Sequence, residues 1–290
     1  MPAMVRPGTL YFLHIPKTAG SSLSTVLRAG YSPESRLPVH EWQGLVRLDR
    51  HTINRHAYFA GHFGTGLYSL LDRPVATVTI LRDPFERTAS HFEYAIRHPR
   101  GRALNLLESM ARRVVAHLPI SLFSSLRPLL YRRGLGDERV VAMLQDHQAR
   151  TLGLDLDLIP FLGRPDGRDF SALLRDGADG VSDDDLFDRA RRQLDRCAVV
   201  GTVERLDDTM ALVADLLGIP SPPTLPRENV ARGRTVNDRY RMTLSRFPGI
   251  GERIDALTRV DRRVYDHADR LLTARLAARR PQRGVAPPLE

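Results

Sequence analysis

Four short apolar runs, each bounded by polar or turn-forming residues, are the strongest pattern along this chain. They occupy residues 9–15, 58–60, 75–81 and 198–203, and runs of this length and composition are typical of buried strands. Between the runs, apolar residues recur at helical spacing. Strands that alternate with helices predict an α/β fold with a central parallel sheet flanked by helices in three layers.

The first helical pattern follows the first strand directly. Leu23, Val26 and Leu27 fall on one face at helical spacing, which predicts a helix that packs on the sheet. Ser21 or Ser22 is the expected N-cap, because a serine side chain accepts a hydrogen bond from a free backbone N–H of the first turn.

Three further helices are predicted in the second half of the chain. Residues 182–196 begin with Ser182 as the expected N-cap, and the acidic residues after it favour the positive end of the helix dipole. Residues 206–217 form an amphipathic pattern that ends at Gly218, a typical helix stop. One last helix is expected over residues 250–278.

The remaining segments complete the predicted organisation. Residues 98–152 are basic and helical in pattern, and we expect them to form a helical insertion that caps the active site. Residues 153–181 are rich in glycine and aspartate, which predicts exposed loops. We expect residues 1–280 to form a single domain and residues 281–290, which are rich in proline, to be a disordered tail.

The loop after the first predicted strand has the composition of an anion site. Residues 16–20 contain Lys17 between a proline and a glycine, and Thr18, Ser21 and Ser22 supply hydroxyl groups. A strand, a tight loop and a helix N-terminus present free N–H groups and the positive end of the helix dipole to an anion. The Walker order, with lysine after the second glycine, is absent, which disfavours a standard nucleoside triphosphatase site.

Lys17 is the only lysine among the 43 basic residues of the chain. An ammonium group is a compact, mobile charge, and it follows a leaving-group oxygen better than a planar guanidinium does. A lysine used only in this loop therefore indicates a specific task there. A chance surface lysine is the less favoured alternative.

Polar residues also follow the second and third predicted strands. His62 comes at the end of the second strand and Arg82 at the end of the third, and ligands of open parallel sheets bind at those ends. Ser90 lies two helical turns beyond, in line with the start of the next predicted helix. Arg87 lies between Arg82 and Ser90 and either joins this group or pairs with a neighbouring acid such as Glu86.

Two strings of residues resemble those of one enzyme family. H-I-P-K-T-A-G-S-S at residues 14–22 is similar to the 5′-phosphosulfate loop of the sulfotransferases, and R-D-P-x-x-R-x-x-S at residues 82–90 is similar to their 3′-phosphate motif. The likeness is greatest to the heparan and chondroitin/dermatan uronyl 2-O-sulfotransferases and their bacterial relatives. It implies a P-loop-like fold and the co-substrate 3′-phosphoadenosine 5′-phosphosulfate (PAPS), without a metal.

The resemblance also implies how the donor is held. Arg82 and Ser90 would bind the 3′-phosphate, and Lys17 would act as the catalytic cation on the leaving group. A late loop of the family folds over the nucleotide, which makes Arg232 and Arg234 candidates, with a solvated surface loop as an equal alternative. The full donor-binding set comprises Pro16, Lys17, Thr18, Ala19, Gly20, Ser21, Ser22, Arg82, Ser90, Arg232 and Arg234.

His62 is the predicted catalytic base. The family has a Gly-His pair between its two donor motifs, and His62 matches that histidine, whose neutral imidazole suits proton removal near pH 7. His14 is the main rival, although its place in the first strand predicts that it orients the loop or packs beneath it. Glu204, His147 and Glu93 are weaker alternatives.

The predicted reaction moves the sulfuryl group of PAPS to a hydroxyl of a carbohydrate or glycoconjugate by in-line displacement. Besides His62, Gln148 and Arg150 are the acceptor-binding candidates, because they loosely match a polar segment, N-x-Q-x-R-x-L, of the family. Two alternatives stay open. One is an ATP-dependent, P-loop-like phosphotransferase, and the other is a non-catalytic protein that binds nucleotides or polyanions.

Charge and cysteine usage narrow the class of protein. A net charge of +9 and a pI near 10.3 favour anionic partners, although arginine is spread along the chain as a GC-rich genome would also produce. The single cysteine, Cys197, excludes an intramolecular disulfide, and no apolar run is long enough to span a membrane. We therefore expect a cytoplasmic, bacterial enzyme without a nucleic-acid partner, and the oligomeric state is left open.

Overall fold

The computed structural model describes residues 8–97, 120–164, 169–219, 239–244 and 246–279. Four strands form one sheet: β1 (Leu10–Leu13), β2 (Tyr58–Gly61), β3 (Ala76–Leu81) and β4 (Val199–Thr202). Every pair of neighbours is parallel, in the order β2-β1-β3-β4. The predicted α/β fold with a central parallel sheet is confirmed.

Helices connect the strands and cover both faces of the sheet. In chain order, α1 to α14 are Gly20–Ala29, Trp42–Leu45, Arg50–Asn54, Leu67–Leu70, Pro84–Arg97, Ile120–Gly134, Glu138–Leu144, His147–Gly153, Phe170–Gly177, Asp183–Arg196, Leu206–Leu217, Arg239–Leu244, Ile250–Leu257 and Arg259–Arg279. Single turns of 3₁₀-helix span Pro33–Ser35, Gly64–Gly66, Ile159–Phe161 and Val203–Arg205.

Alternate side chains of each strand enter hydrophobic cores on opposite faces of the sheet. Tyr11 and Leu13 lie in one core with buried residues of α8, α10 and the first half of α14. Leu10 and Phe12 lie in the other core, which α1 and α11 complete. Because side chains of a strand alternate between faces, strands buried on both sides read as continuous apolar runs in the sequence.

A separate hydrophobic cluster joins α5 to the helices that follow it in the chain. Phe85 and Phe92 of α5 pack there with Tyr131 of α6, Leu144 of α7 and Ile254 of α13. The helical character expected after residue 97 is thus present in α6, α7 and α8, while residues 98–119 lie outside the described residues. This cluster fixes α5, which starts at the end of β3.

Two predictions for the second half of the chain are confirmed and one is wrong. The side chain of Ser182 accepts a hydrogen bond from Asp185 N, and Gly218 ends α11 in the left-handed conformation. Residues 153–181 are not mainly exposed loop, however. Leu154, Leu156 and Leu158 are buried in the core, and α9 follows them.

Two predicted helix boundaries also differ from the structure. No serine caps α1, because Ala19 takes the left-handed conformation at the N-cap and the helix already begins at Gly20. The last helix is two helices, α13 and α14, since the backbone leaves helical geometry at Thr258. At the break, Val260 N and Asp261 N donate to the side chain of Asp146, and Leu257 O accepts from Asp146 N, so these backbone groups bond to Asp146 at the start of α8.

An extended segment follows the outer edge of β2. Leu37 N donates to Tyr58 O at 2.9 Å, and His62 N donates to His40 O at 2.8 Å. Glu41 is thereby paired with His62 in parallel register. The exposed carboxylate of Glu41 therefore lies at the end of β2, beside the predicted catalytic residue His62.

The carboxyl ends of the four strands meet at one edge of the sheet. The loop after β1, His62 after β2, Arg82 after β3 and Glu204 after β4 all lie there. β1 lies between β2 and β3 in the sheet. The chain leaves β1 towards β2 on one side and then crosses from β2 to β3 on the other side, which leaves a crevice above β1. The sequence-predicted donor motifs flank that crevice.

Candidate functional site

The loop between β1 and α1 has an unusual backbone. Lys17 and Ala19 both have positive φ angles, of 73° and 56°, although neither is glycine. The hydroxyl of Thr18 donates to Ile15 O at 2.8 Å and is fully buried, so it closes the loop from within. Positive φ in residues with a Cβ atom is costly and is often found at functional sites.

Gly20 is required where α1 begins. A Cβ atom there would lie 1.9 Å from Nε2 of the His14 ring. That ring stacks on Phe12, with 5.2 Å between the centroids, and it lies 4.6 Å from the ring of His62. Burial lowers the pKa of His14 to about 3. His14 thus packs beneath the loop as a neutral ring, as its place in the first strand predicts.

Lys17 reaches out of the loop onto an aromatic ring. Its Nζ atom lies 3.4 Å from the centroid of Tyr94 on α5, a cation–π contact. Burial lowers the pKa of Lys17 to about 8, and the charges of Arg82 and Arg87 add to the effect. The three cations repel one another, so an anion bound among them would be favoured.

Arg82 is held against the same loop. Its Nη1 donates to Lys17 O at 3.4 Å, and its Nη2 lies 3.4 Å from Oε2 of the buried Glu86. Its Nε atom is buried without a hydrogen-bond partner among the described residues. A buried donor without a partner is costly, which makes this guanidinium a ready anion ligand.

The backbone of Arg82 is fixed by Gln148. Arg82 N donates to Oε1 of Gln148 at 3.0 Å, and Nε2 of Gln148 donates to Arg82 O at 2.9 Å. Gln148 is fully buried. The structure therefore places this amide under the Arg82 main chain, whereas the sequence predicted a place beside the acceptor.

Arg87 lies entirely inside the protein, beneath the loop. Its Nε donates to Pro16 O at 3.3 Å and its Nη2 donates to Nδ1 of His91, while Nη1 has no partner among the described residues. Burial lowers the pKa of Arg87 to about 10. The suggested pairing with Glu86 is absent, because Glu86 contacts Arg82 instead.

His62 has the geometry of a base that is held in one tautomer. Its Nδ1 lies 2.8 Å from His14 O, which makes Nδ1 the protonated nitrogen and leaves Nε2 as an acceptor. Nε2 lies 3.9 Å from Oε1 of Glu41. Burial lowers the pKa of His62 below its ordinary value, while the Glu41 carboxylate opposes the shift.

The three weaker alternatives for the base are engaged elsewhere. Glu204 accepts hydrogen bonds from Asp83 N and from the hydroxyl of Tyr265. Glu93 pairs with Arg127 at 2.8 Å. His147 is buried, with Nδ1 3.2 Å from Met143 O. Each of these side chains has a local structural contact, and of the base candidates His62 is the one with a base-like tautomer at a strand end.

The other predicted site residues that the structure describes lie on α1, α5 and α8. Ser22 is buried near the start of α1, and Ser90 is half-buried on α5. Arg150 donates to Ala142 O at 3.4 Å, and burial lowers its pKa. Arg232 and Arg234 lie outside the described residues.

Sequence reasoning missed part of one helix face. Arg87, His91 and Tyr94 of α5 are spaced by four and three residues, and all three contact the loop or its charges. This spacing puts the three side chains on one side of α5, and it can be read from the sequence alone. Burial and the cationic neighbours keep the pKa of His91 well below its ordinary value, so its neutral ring accepts from Arg87.

Comparison with known proteins adds no relative to this picture. No model of a known protein family matches the chain, and no curated protein is significantly similar to it. Across the part of the chain that the structure describes, no helix combines the length and apolar character needed to cross a bilayer. The geometry of the site and the two sequence motifs are therefore what indicate the function.

Proposed function

We propose that this protein is a sulfotransferase that moves the sulfuryl group of PAPS to a hydroxyl of a carbohydrate or glycoconjugate. The observation that carries the proposal is the convergence of Lys17, Arg82 and Arg87 on the loop before α1. Burial lowers the pKa of Lys17 to about 8, and repulsion from Arg82 and Arg87 adds to the shift. A donor with several negative charges relieves that repulsion. A P-loop-like architecture is part of the proposal, and the parallel sheet with helices on both faces supports it.

The residues present suit a donor with anionic groups at both ends. The 5′-phosphosulfate fits the free N–H groups at the start of α1, and Pro16, Lys17, Thr18, Ala19, Gly20, Ser21 and Ser22 would surround it. The 3′-phosphate fits Arg82, whose buried Nε has no partner in the described residues, with Ser90 as a second ligand. Arg232 and Arg234, which lie outside the described residues, complete the proposed donor-binding set.

In the proposed reaction, the acceptor oxygen bonds to sulfur as the bond between sulfur and the bridging oxygen breaks. Nε2 of His62 takes the acceptor proton, since Nδ1 is committed to His14 O. The carboxylate of Glu41, 3.9 Å away, offsets the charge that His62 then carries. Lys17 leaves the Tyr94 ring for the bridging oxygen and balances the charge that develops on the departing 5′-phosphate.

Two buried side chains would hold these groups in place without touching either substrate. Arg87 fixes the loop through Pro16 O, and Gln148 fixes the main chain of Arg82 from below. Positioning of this kind supplies a large part of the catalysis when little covalent chemistry falls to the protein. We accordingly assign Gln148 to positioning, and Arg150 keeps its proposed place near the acceptor.

Calorimetric titration with 3′-phosphoadenosine 5′-phosphate, the product without sulfate, tests the donor site. In the absence of Mg²⁺ we expect tight binding, and at least about tenfold weaker binding of 5′-AMP, since each charged contact contributes about 1.5–3 kcal/mol. Arg82→Ala should lose a similar factor, and Lys17→Ala should weaken binding as well.

An exposed arginine on α13, Arg253, supplies a control of equal charge. Arg253→Ala should bind the nucleotide with unchanged affinity. Tighter binding of ATP that depends on Mg²⁺ would overturn the sulfotransferase proposal in favour of a phosphotransferase. Equal losses in Arg82→Ala and Arg253→Ala would indicate diffuse attraction to a basic surface instead of a defined site.

A further inference from the structure

Lys17 gives the protein its only side-chain amine, since the other lysine and arginine positions are all arginine. A neutral amine attacks electrophilic carbon, whereas a guanidinium stays protonated and does not. The one thiol of the chain, Cys197, is buried, and burial raises its pKa to about 12, which keeps it inert. A reagent that acylates side-chain amines therefore has one target, in the loop between β1 and α1.

The charges around Lys17 are positive. Nη1 of Arg82 donates to the carbonyl of Lys17 at 3.4 Å, and Nε of Arg87 donates to the carbonyl of the preceding residue at 3.3 Å. The carboxylate of Glu86 contacts Arg82 instead of the lysine. In the part of the chain that the structure describes, no carboxylate pairs with the Lys17 ammonium. The excess of positive charge attracts anions to the place where the amine stands.

An exposed aromatic ring and two neutral imidazoles complete the surroundings of the amine. Nζ of Lys17 lies 3.4 Å from the ring centroid of Tyr94, and the lysine is half-buried beside this exposed ring, so small molecules reach it from solvent. Burial lowers the pKa values of His14 and His91, which keeps both rings uncharged near pH 7.

The amine itself is partly neutral under ordinary conditions. Burial and the two guanidinium groups lower the pKa of Lys17 to about 8. At pH 8, about half of the Lys17 side chains are free amines, against about 0.3 % for a lysine with the ordinary pKa of 10.5. A nucleophile and an anion-attracting cluster thus occupy the same site.

Phosphate-binding groups lie next to this amine. The free backbone N–H groups of α1 begin at Gly20, and two buried nitrogens, Nε of Arg82 and Nη1 of Arg87, have no hydrogen-bond partner among the described residues. Donors of this kind bind phosphate oxygens. A phosphate held there brings to Lys17 the atoms that lie within a few bonds of the phosphorus. In an acyl phosphate, a single oxygen separates the electrophilic carbonyl carbon from phosphorus.

We propose that this site captures acyl phosphates and that Lys17 is acylated there. Neutral Nζ attacks the carbonyl carbon, and the C–N bond forms as the bond between that carbon and the phosphate oxygen breaks. The amine proton passes to the phosphate, which leaves as hydrogen phosphate, and the cations stabilise its charge. A phosphate-bearing aldehyde would instead expel water, and the cations would have no departing anion to stabilise.

The amide that forms is neutral, so acylation removes one cation from the site. Capture of the acyl phosphate uses the cation cluster alone. The consequence for the enzyme, loss of donor binding and of sulfuryl transfer, rests on the proposed function. Acylation of Lys17 would then switch the protein off in proportion to the acyl phosphate present.

Acetyl phosphate at pH 8, followed by mass spectrometry of tryptic peptides, tests the proposal. Acetylation blocks cleavage after Lys17, so the adduct appears on a longer peptide that ends at Arg28. The matched control is Lys17→Arg/Arg253→Lys, which has the same charge and again a single lysine, now exposed on α13. We expect acetylation to be at least about tenfold faster in the wild type than at position 253. Far-UV circular dichroism confirms that both proteins are folded.

Two further measurements separate capture of the phosphate group from simple reactivity of the amine. Inorganic sulfate should slow acetylation of the wild type and leave the control unchanged. N-acetylimidazole, a neutral acetylating reagent, supplies a reference rate for each protein. The ratio of the rate with acetyl phosphate to the rate with N-acetylimidazole should be at least about tenfold higher in the wild type.

Equal rates at the two positions would overturn the proposal. Equal ratios for the two reagents, or no protection by sulfate, would also overturn it, because the amine would then react without capture of the phosphate group. Titration with 3′-phosphoadenosine 5′-phosphate keeps the two proposals apart. Acetylation that sulfate blocks, in a protein that does not bind this nucleotide, would refute the sulfotransferase and leave the acylation site standing. Nucleotide binding without preferential acetylation of Lys17 would refute the acylation site alone.

Discussion

The charge on Lys17 depends on its neighbours, so anion binding should depend on pH. Burial, Arg82 and Arg87 lower the pKa of this ammonium to about 8. As the pH rises above 8, a growing fraction of the free protein carries a neutral amine, which attracts the donor less. We expect the affinity for 3′-phosphoadenosine 5′-phosphate to fall about tenfold between pH 8 and pH 9.5, as measured by calorimetry.

Lys17→Arg is the matched variant for this pH dependence. A guanidinium stays charged throughout this range, so the affinity of Lys17→Arg should be nearly constant from pH 7.5 to pH 9.5. The phosphates of the ligand are already ionised above pH 7.5 and contribute no slope there. If Lys17→Arg shows the same decline as the wild type, another group titrates and the role assigned to Lys17 in this dependence is wrong.

Individual residues differ in how far the sequence alone could place them. Lys17 and Arg82 were predictable because each follows a buried strand within a few residues, and the ends of parallel strands meet at one edge. Gln148 was not, because its partner is the main chain of a residue 66 positions away. Tyr94 was within reach, since it shares a helix face with Arg87.

At the scale of elements, the junction of β1 and α1 depends on the absence of a side chain at Gly20. A Cβ atom would lie 1.9 Å from the His14 ring, which cannot retreat because Phe12 and His62 pack against it. We expect Gly20→Ala to lower the free energy of unfolding by about 1–3 kcal/mol in urea titrations. Affinity for 3′-phosphoadenosine 5′-phosphate should fall at least tenfold, because the loop and the helix start would be displaced.

Gly30 at the other end of α1 offers the same substitution without the clash. Its φ is −73°, and an added Cβ atom would make only ordinary contacts, 3.4 Å from Leu27 O. Gly30→Ala should leave nucleotide affinity unchanged and stability unchanged or slightly raised. Equal effects of the two substitutions would mean that flexibility of α1, rather than the packing of Gly20 on His14, controls the site.

The element boundaries that sequence reasoning missed have local and tertiary causes. The N-cap of α1 was placed two or three residues late because Ala19 adopts a left-handed conformation that no propensity scale assigns to alanine. The buried segment Leu154 to Leu158 carried a signal, since leucine alternates with aspartate there as in a half-buried extended chain. At the break at Thr258, the backbone N–H groups of Val260 and Asp261 bond to Asp146, which lies over 100 residues earlier and has no local signal in the sequence of the helix.

For the molecule as a whole, two kinds of buried ionisable group make the free energy of unfolding depend on pH, the carboxyls and the imidazoles, and they act in opposite directions. Asp146 accepts from the backbone N–H groups of Val260 and Asp261, and Asp261 accepts from those of Gln148 and Ala149. Asp146 thus accepts hydrogen bonds from the first turn of α14, and Asp261 accepts them from the first turn of α8. Burial raises the pKa of Asp146 to about 7, and the nearby Asp261 adds to the shift, while Arg150 opposes it.

The buried neutral imidazoles make the free energy of unfolding rise with pH, the opposite of the effect of Asp146. The pKa of His14 is lowered to about 3, and those of His91 and His147 lie well below the ordinary value, all mainly through burial. The stability that these rings confer is present above pH 6.5 and is lost as the pH falls. The carboxyl of Asp146 has a raised pKa, so its contribution is fully present below pH 3.8 and is lost as the pH rises through about 7.

A substitution of Asp146 separates the two contributions, because the histidines are common to both proteins and cancel in the difference. Asparagine keeps an oxygen acceptor and tolerates the φ of 41° at this position, yet it carries no charge. Relative to the wild type, Asp146→Asn should gain at least about 1.4 kcal/mol in unfolding free energy between pH 4.5 and pH 8, the value of one pKa unit. Urea titrations at each pH measure this difference, and Asp188→Asn, an exposed change on α10, should show no such gain. The opposite outcome is a difference in unfolding free energy between Asp146→Asn and wild type that stays constant with pH. It would mean that the ionised carboxylate of Asp146 is as well stabilised in the folded protein as in the unfolded chain. The starts of α8 and α14 would then be held by two ionised carboxylates, those of Asp146 and Asp261, rather than by protonated ones.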